Sequence, residues 1–203
     1  MKMINFINKL FKDNIKRPYL LEIGMFSIGL GESNIENNKI IISKYPFEPS
    51  LIYPDKNILP HEISEIHLDE YPPTLKVGEE LIFISREKID LLKEYAIKNN
   101  IKLKKRHSNW DYITTPFLDT EYDDEQNANI ENKLKSNGIL KEELINLRKE
   151  IAEQMYKYNF DTMLWEWCSL GLNDVLLAMR PKLSKQKFNE FYWKAMEIEQ
   201  RKI

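Results

Sequence analysis

The sequence predicts an α+β protein: a small antiparallel β-rich N-terminal half with one helix, followed by a C-terminal bundle of about four helices. Three observations predict it. Up to Arg106, short apolar runs are separated by Gly, Pro and Asn, as in a sheet with frequent turns. After Pro116 the apolar residues recur at helical spacing. With 203 residues, 42% of them hydrophobic and 11% aromatic, but only 6 Gly, the chain can bury enough apolar surface to offset its conformational entropy.

Met3, Phe6, Ile7, Leu10 and Phe11 share one side of a short amphipathic helix that Pro18 must end, so residues 1–18 read as a docking helix. Residues 19–115 form the β-rich region, with strand-like runs at Leu21–Leu30, Ile40–Ser43, Ile63–Leu68 and Leu81–Ile84. Pro46, Pro49, Pro54 and Pro60 keep the middle of this region out of helix and central strand. Ser85 is placed to cap a helix from Arg86 that Asn99-Asn100 stops, and Ile101–Arg106 resumes as strand.

Residues 116–203 form the helical bundle, able to share one core with the β-rich region. Asp123 and Gln126 have the spacing of a capping box, and Gly138 follows the last turn of that helix. Leu140, Leu144, Leu147, Ile151, Met155 and Tyr158 make a seam of nearly 3.5-residue period. Phe160 to Arg180 is apolar almost all round and reads as one central helix that Pro181 ends. Ser184 caps the last helix, whose buried stripe is Phe188, Phe191, Ala195 and Ile198.

Charge sets limits on partners. The net charge is −2, and residues 1–106 and 107–203 stand at +2 and −4, so no global field draws the chain to nucleic acid or anionic lipid. The longest apolar stretch carries Asp161, Glu166, Asn173 and Asp174, which argues against membrane insertion. A single cysteine, Cys168, makes no internal disulfide, and the N-terminus lacks a signal-peptide hydrophobic region. A cytoplasmic, soluble protein is expected.

Motif searches mostly exclude. The chain has no triphosphate-binding G-x-x-x-x-G-K-[ST] loop, and Gly24, Gly29 and Gly31 have the wrong spacing for a dinucleotide fingerprint. No cofactor is expected. His61-Glu62-Ile63-Ser64-Glu65 has Glu65 where a zinc motif needs its second His. His67 and Asp69, two apart on a strand, would project from one face about 6 to 7 Å apart and are the weak candidates for a metal. The simpler reading makes them a solvated outer face. Lys102, Lys104 and Arg106 likewise read as the wet side of a strand, and Cys168 as a packed core thiol.

Two groups remain as candidate binding residues. Asp119, Glu121, Asp123, Asp124 and Glu125 form an acidic cluster dense enough for a divalent cation, though without the spacing and glycine of a calcium loop, or for a basic partner, or simply acids complementing a helix N-terminus. Glu166, Asn173 and Arg180, spaced by seven with Ser169 between, form a polar stripe on the central helix. That stripe is either a structural network or the wall of a pocket between the two halves.

The leading expectation is a non-catalytic protein-interaction or regulatory protein with a protein partner. Bacterial immunity proteins and antitoxins are one form of that class, since they need only a surface complementary to one partner. A homo-oligomer is compatible with it. The alternative is an enzyme with a dispersed site, a hydrolase using His67 and Asp69 or Glu166 with Arg180. A weaker alternative is a headgroup or peptide binder of pleckstrin-homology-like architecture, although here a further strand follows the first helix.

Overall fold

Residues 40, 42 and 58 are isoleucines with 0 to 1% exposure, and their alternation with wetter neighbours turns one face of a small sheet inward. A computed structural model describes residues 30–118, 122–162 and 169–202 of the chain, so the expected docking helix and nearly all of the first expected strand lie outside them. The first sheet is β1 (Glu32–Ile35), β2 (Ile40–Ser43) and β3 (Lys56–Ile58), antiparallel throughout, with Ile40 opposite Ile58. The second holds β4 (Ile63–His67), β5 (Thr74–Val77), β6 (Glu80–Phe83) and β7 (Lys102–Leu103) in the order β6-β5-β4-β7.

The fold is therefore mixed α+β with the sheets first and the helices after, as the residue pattern implies. One departure is β7, which pairs parallel to β4 after the crossover helix α1 (Ile89–Lys98) and is two residues long rather than the expected Ile101–Arg106. Ser85 caps no helix: Arg86–Lys88 is a 3-10 turn, and α1 starts only at Ile89. A short helix, α2 (Asn109–Ile113), occupies the end of the region expected to be β-rich. Its cap is the Ser108 hydroxyl, which accepts from Asp111 N at 3.2 Å.

Four further helices follow among the described residues: α3 (Asp124–Ser136), α4 (Lys141–Thr162), α5 (Leu172–Met179) and α6 (Lys185–Gln200). The Asp123–Gln126 capping box is formed, with Gln126 N donating to Asp123 at 2.7 Å and Asp123 N to Gln126 at 3.0 Å. Gly138, at φ 80, takes the left-handed turn that releases the chain from α3. Along α4, Leu144, Leu147, Ile151, Met155 and Tyr158 are buried, while Leu140 lies outside the helix and is exposed.

The single helix expected over Phe160–Arg180 is not formed. α4 runs through Thr162, residues 169–171 are not helical, and α5 begins at Leu172. The physical reason is that the backbone here is used by tertiary bonds. The Leu170 carbonyl accepts from the Thr114 hydroxyl at 2.5 Å, and Gly171 N donates to Asp174 Oδ2 at 2.9 Å, capping α5. Glycine adds a poor helical propensity at that point.

Buried side chains of both sheets and the helices form one cluster. Phe47 is its hub, with ring centroids 5.8 to 6.4 Å from Tyr45, Phe83, Phe188 and Tyr192. Trp110 is fully buried against Phe191 and donates from Nε1 to the Ala195 carbonyl at 3.0 Å, which fixes α2 on α6. No described helix is long and apolar enough to cross a membrane.

Candidate functional site

Where the second sheet meets the helices, the structure has a cleft of about 410 Å³. Its walls come from the β4–β5 connection (Asp69, Glu70, Tyr71), the segment after β7 (Arg106, His107, Ser108), α2 (Asp111, Tyr112), the start of α5 (Ser169, Gly171, Asn173) and Glu199 of α6. Four carboxylates thus face one guanidinium among the lining residues.

The floor is an ion-pair bridge between sheet and helix. Arg106 Nε lies 2.5 Å from Glu70 Oε1, and Arg106 Nη2 lies 2.6 Å from Glu199 Oε1, with all three side chains less than 10% exposed. Glu199 also accepts from Trp110 N at 3.0 Å. Burial nevertheless outweighs these partners and raises the Glu199 pKa to about 7. The second oxygen of Glu70 accepts from the Thr74 hydroxyl. Lys202, beside Arg106 and Lys104, is held below the usual lysine range by burial and by those two cations.

Asp111, like Asp69, has no ion-pair partner among the described residues, and its carboxylate hydrogen-bonds with the Ser108 side chain. Its pKa is raised to about 6, first by burial and then by the charges of Asp174 and Glu70. Gly171 packs against it so closely that a Cβ there would stand 2.9 Å from Asp111 Oδ1. Below them Asp174 is satisfied, accepting from Tyr158 OH at 2.9 Å and from Gly171 N. Asn173 has its Oδ1 shielded and without a hydrogen-bond partner.

The expected stripe lies only partly at the cleft. Ser169 and Asn173 line the cleft, Arg180 caps the far end of α5 away from it, and Glu166 lies outside the described residues, as does Cys168. Asp119 and Glu121 lie outside them too. Asp123, Asp124 and Glu125 form the cap and first turn of α3, exposed and apart from the cleft.

His67 and Asp69 do not share a solvated face. His67 is fully buried, with Nδ1 2.9 Å from Thr74 Oγ1 and Nε2 3.3 Å from Glu65 Oε2, and burial lowers its pKa. Asp69, beyond the end of β4, lines the cleft and accepts from Arg106 N at 3.3 Å. Among the described residues no three His, Cys, Asp or Glu are arranged to hold a metal ion. Arg106, read from alternation as part of a wet strand face, is 6% exposed because β7 ends at Leu103 and alternation ends with it.

Glu70, Arg106, Asp111 and Glu199 were not expected as a group, although one signal existed. Glu199 falls four residues after Ala195 and seven after Tyr192, on the buried stripe of α6, where a carboxylate demands a partner. Comparisons with family models, curated proteins and solved structures gave no match to the chain.

Proposed function

We propose that the chain is a non-catalytic binding protein of the cytoplasm whose cleft receives a basic group presented by a protein partner. One observation carries this reading: four carboxylates line the cleft, and Arg106, the lining guanidinium, is already held by two of them. A cationic guest would gain charge-assisted hydrogen bonds in a partly dehydrated site, where they are stronger than in water. The acid cluster at Asp123 to Glu125 supports it less, since helix capping accounts for those residues.

The test is capture of partners from host extract on the immobilised protein, compared with Asp69→Asn/Asp111→Asn. A stoichiometric partner lost by the double variant, with unchanged thermal stability, supports the reading. Equal capture by both proteins removes the cleft from it.

A second reading, a hydrolase with Asp111 and Glu199 as acid and base, draws on one observation: both groups titrate near neutrality in the same cleft, at about 6 and about 7. Turnover of chromogenic esters, glycosides or phosphate esters that is abolished by Asp111→Asn and by Glu199→Gln would favour it over binding alone.

A further inference from the structure

Asn137-Gly138, at the end of α3, is the only asparagine-glycine step in the sequence. Asparagine is among the thermolabile residues, and a following glycine lacks the side chain that would shield the next backbone nitrogen. Given freedom to turn, the deprotonated Gly138 nitrogen attacks Asn137 Cγ. A new C–N bond forms, the bond to Nδ2 breaks, and ammonia leaves with the proton. Water then opens the cyclic imide at either of its carbonyls, giving aspartate or isoaspartate. The step needs no oxidant or reductant.

In the folded chain the local backbone and one distant side chain oppose this attack. Asn137 has φ −96 and ψ 13, close to helical backbone, and the Gly138 nitrogen donates back along α3 to the Lys135 carbonyl at 3.0 Å. Asn137 N is likewise tied, to the carbonyls of Lys133 at 3.1 Å and Leu134 at 3.0 Å. The side chain is fixed at its far end, where Nδ2 donates to Asn109 Oδ1 at 2.7 Å.

Asn109 also dictates which kind of atom must stand opposite it. It is 1% exposed, and its Nδ2 faces the carbonyls of Ile198, Arg201 and Glu199 at 2.8, 3.3 and 3.4 Å. Carbonyls only accept, so the Asn109 nitrogen is committed to the end of α6 and its oxygen is turned towards α3. That oxygen needs a donor. A carboxylate at position 137 would set acceptor against acceptor and break the link that joins α3, α2 and α6. Isoaspartate would in addition insert a methylene into the backbone of the last turn.

We propose that Asn137 is a conformationally guarded deamidation site: the folded chain protects it through Asn109 and the end of α3, opening of that turn releases it to react, and the product cannot re-form the link. Helix ends are where local opening takes the least free energy. Because the change is irreversible, the site records accumulated time spent open.

The experiment incubates the full chain at mildly alkaline pH, either native or unfolded in urea, and follows each asparagine by peptide mass spectrometry. In urea, position 137 should convert faster than Asn99 and Asn132, to a mixture of aspartate and isoaspartate; in the native chain it should convert several-fold more slowly. Asn137→Asp, which reproduces one product, should shift the Asn109 side-chain amide signals in 15N spectra. Asn132→Asp, the same charge change at an exposed position of α3, should leave them in place. The comparison of rates uses the unaltered chain, so it decides the matter even if Asn137→Asp fails to fold. Equal rates in native and unfolded chains overturn the guard, and conversion in urea no faster at 137 than at the other asparagines overturns the site. Unmoved Asn109 signals in folded Asn137→Asp overturn the proposed loss of the link.

Discussion

Glu199 is a carboxylate that the fold needs and also penalises. Its pKa stands at about 7 against an ordinary value near 4.5, so the folded state holds a proton that the unfolded chain releases. Its contribution to stability is therefore full below pH 4.5, falls as pH rises towards 7, and is flat above. Asp111 adds a drop of the same sign that ends near pH 6. His67 acts oppositely, since its lowered pKa removes stability as pH falls below 6.5. Glu199→Gln, which keeps an acceptor for Trp110 N, should flatten the decline between pH 5 and 7.5 in urea midpoints, whereas Glu199→Ala should cost about 2 to 4 kcal/mol by stranding Arg106 and that amide. A second buried acid, Glu80, is held up by burial, accepts from the Tyr192 hydroxyl and takes Leu51 N at 3.0 Å. Tyr192→Phe should destabilise by about 1 to 3 kcal/mol, measured by chemical denaturation. Such pairs were illegible in one dimension, because Glu80 and Tyr192 are 112 positions apart and only the fold makes them neighbours. Ser169 and Asn173 were legible, because their spacing on a mostly apolar segment asked for a polar partner.

Helix boundaries were readable wherever a local side chain closes them. Asp123 and Ser184 cap α3 and α6 as their sequence surroundings imply, and each substituted by Ala should cost about 1 kcal/mol in denaturant midpoints. Leu176, fully buried on α5, should cost at least about 3 kcal/mol when changed to Asp, because the substitution removes a packed side chain and buries a charge. Where a boundary depends on a distant partner, periodicity misled. The run from Phe160 to Arg180 is apolar enough for one helix, yet the bond from Thr114 to the Leu170 carbonyl and the Asp174 cap on Gly171 divide it. The same division creates the cleft, since the non-helical residues 169–171 supply part of its wall.

Across the molecule, the aromatic hub on Phe47 and the Arg106 bridge both tie the sheets to α6. Amide signals of β2 and of α4 should therefore disappear together in a urea titration, and a chain cut at residue 107 should leave neither piece with native-like spectra. Separate transitions would contradict a shared core. The general division into sheets and helices was legible because periods of 2 and 3.6 need no tertiary knowledge. The parallel pairing of β7 was not, because a two-residue strand has too little pattern to reveal its direction. That strand has a consequence for the behaviour of many copies of the chain. Among the described strands β7 is the outer one of its sheet, with Lys102 exposed on it, Lys105 exposed just after it, and Lys104 tied to Glu65 at 2.9 Å. A short border studded with positive charge cannot easily be extended by another molecule's strand. Lys102→Val with Lys105→Val should make light scattering rise with concentration while the fold of the single chain stays intact. Lys102, which the sequence reads as part of a wet strand face, thus stands with Lys105 where positive charge opposes strand-to-strand association.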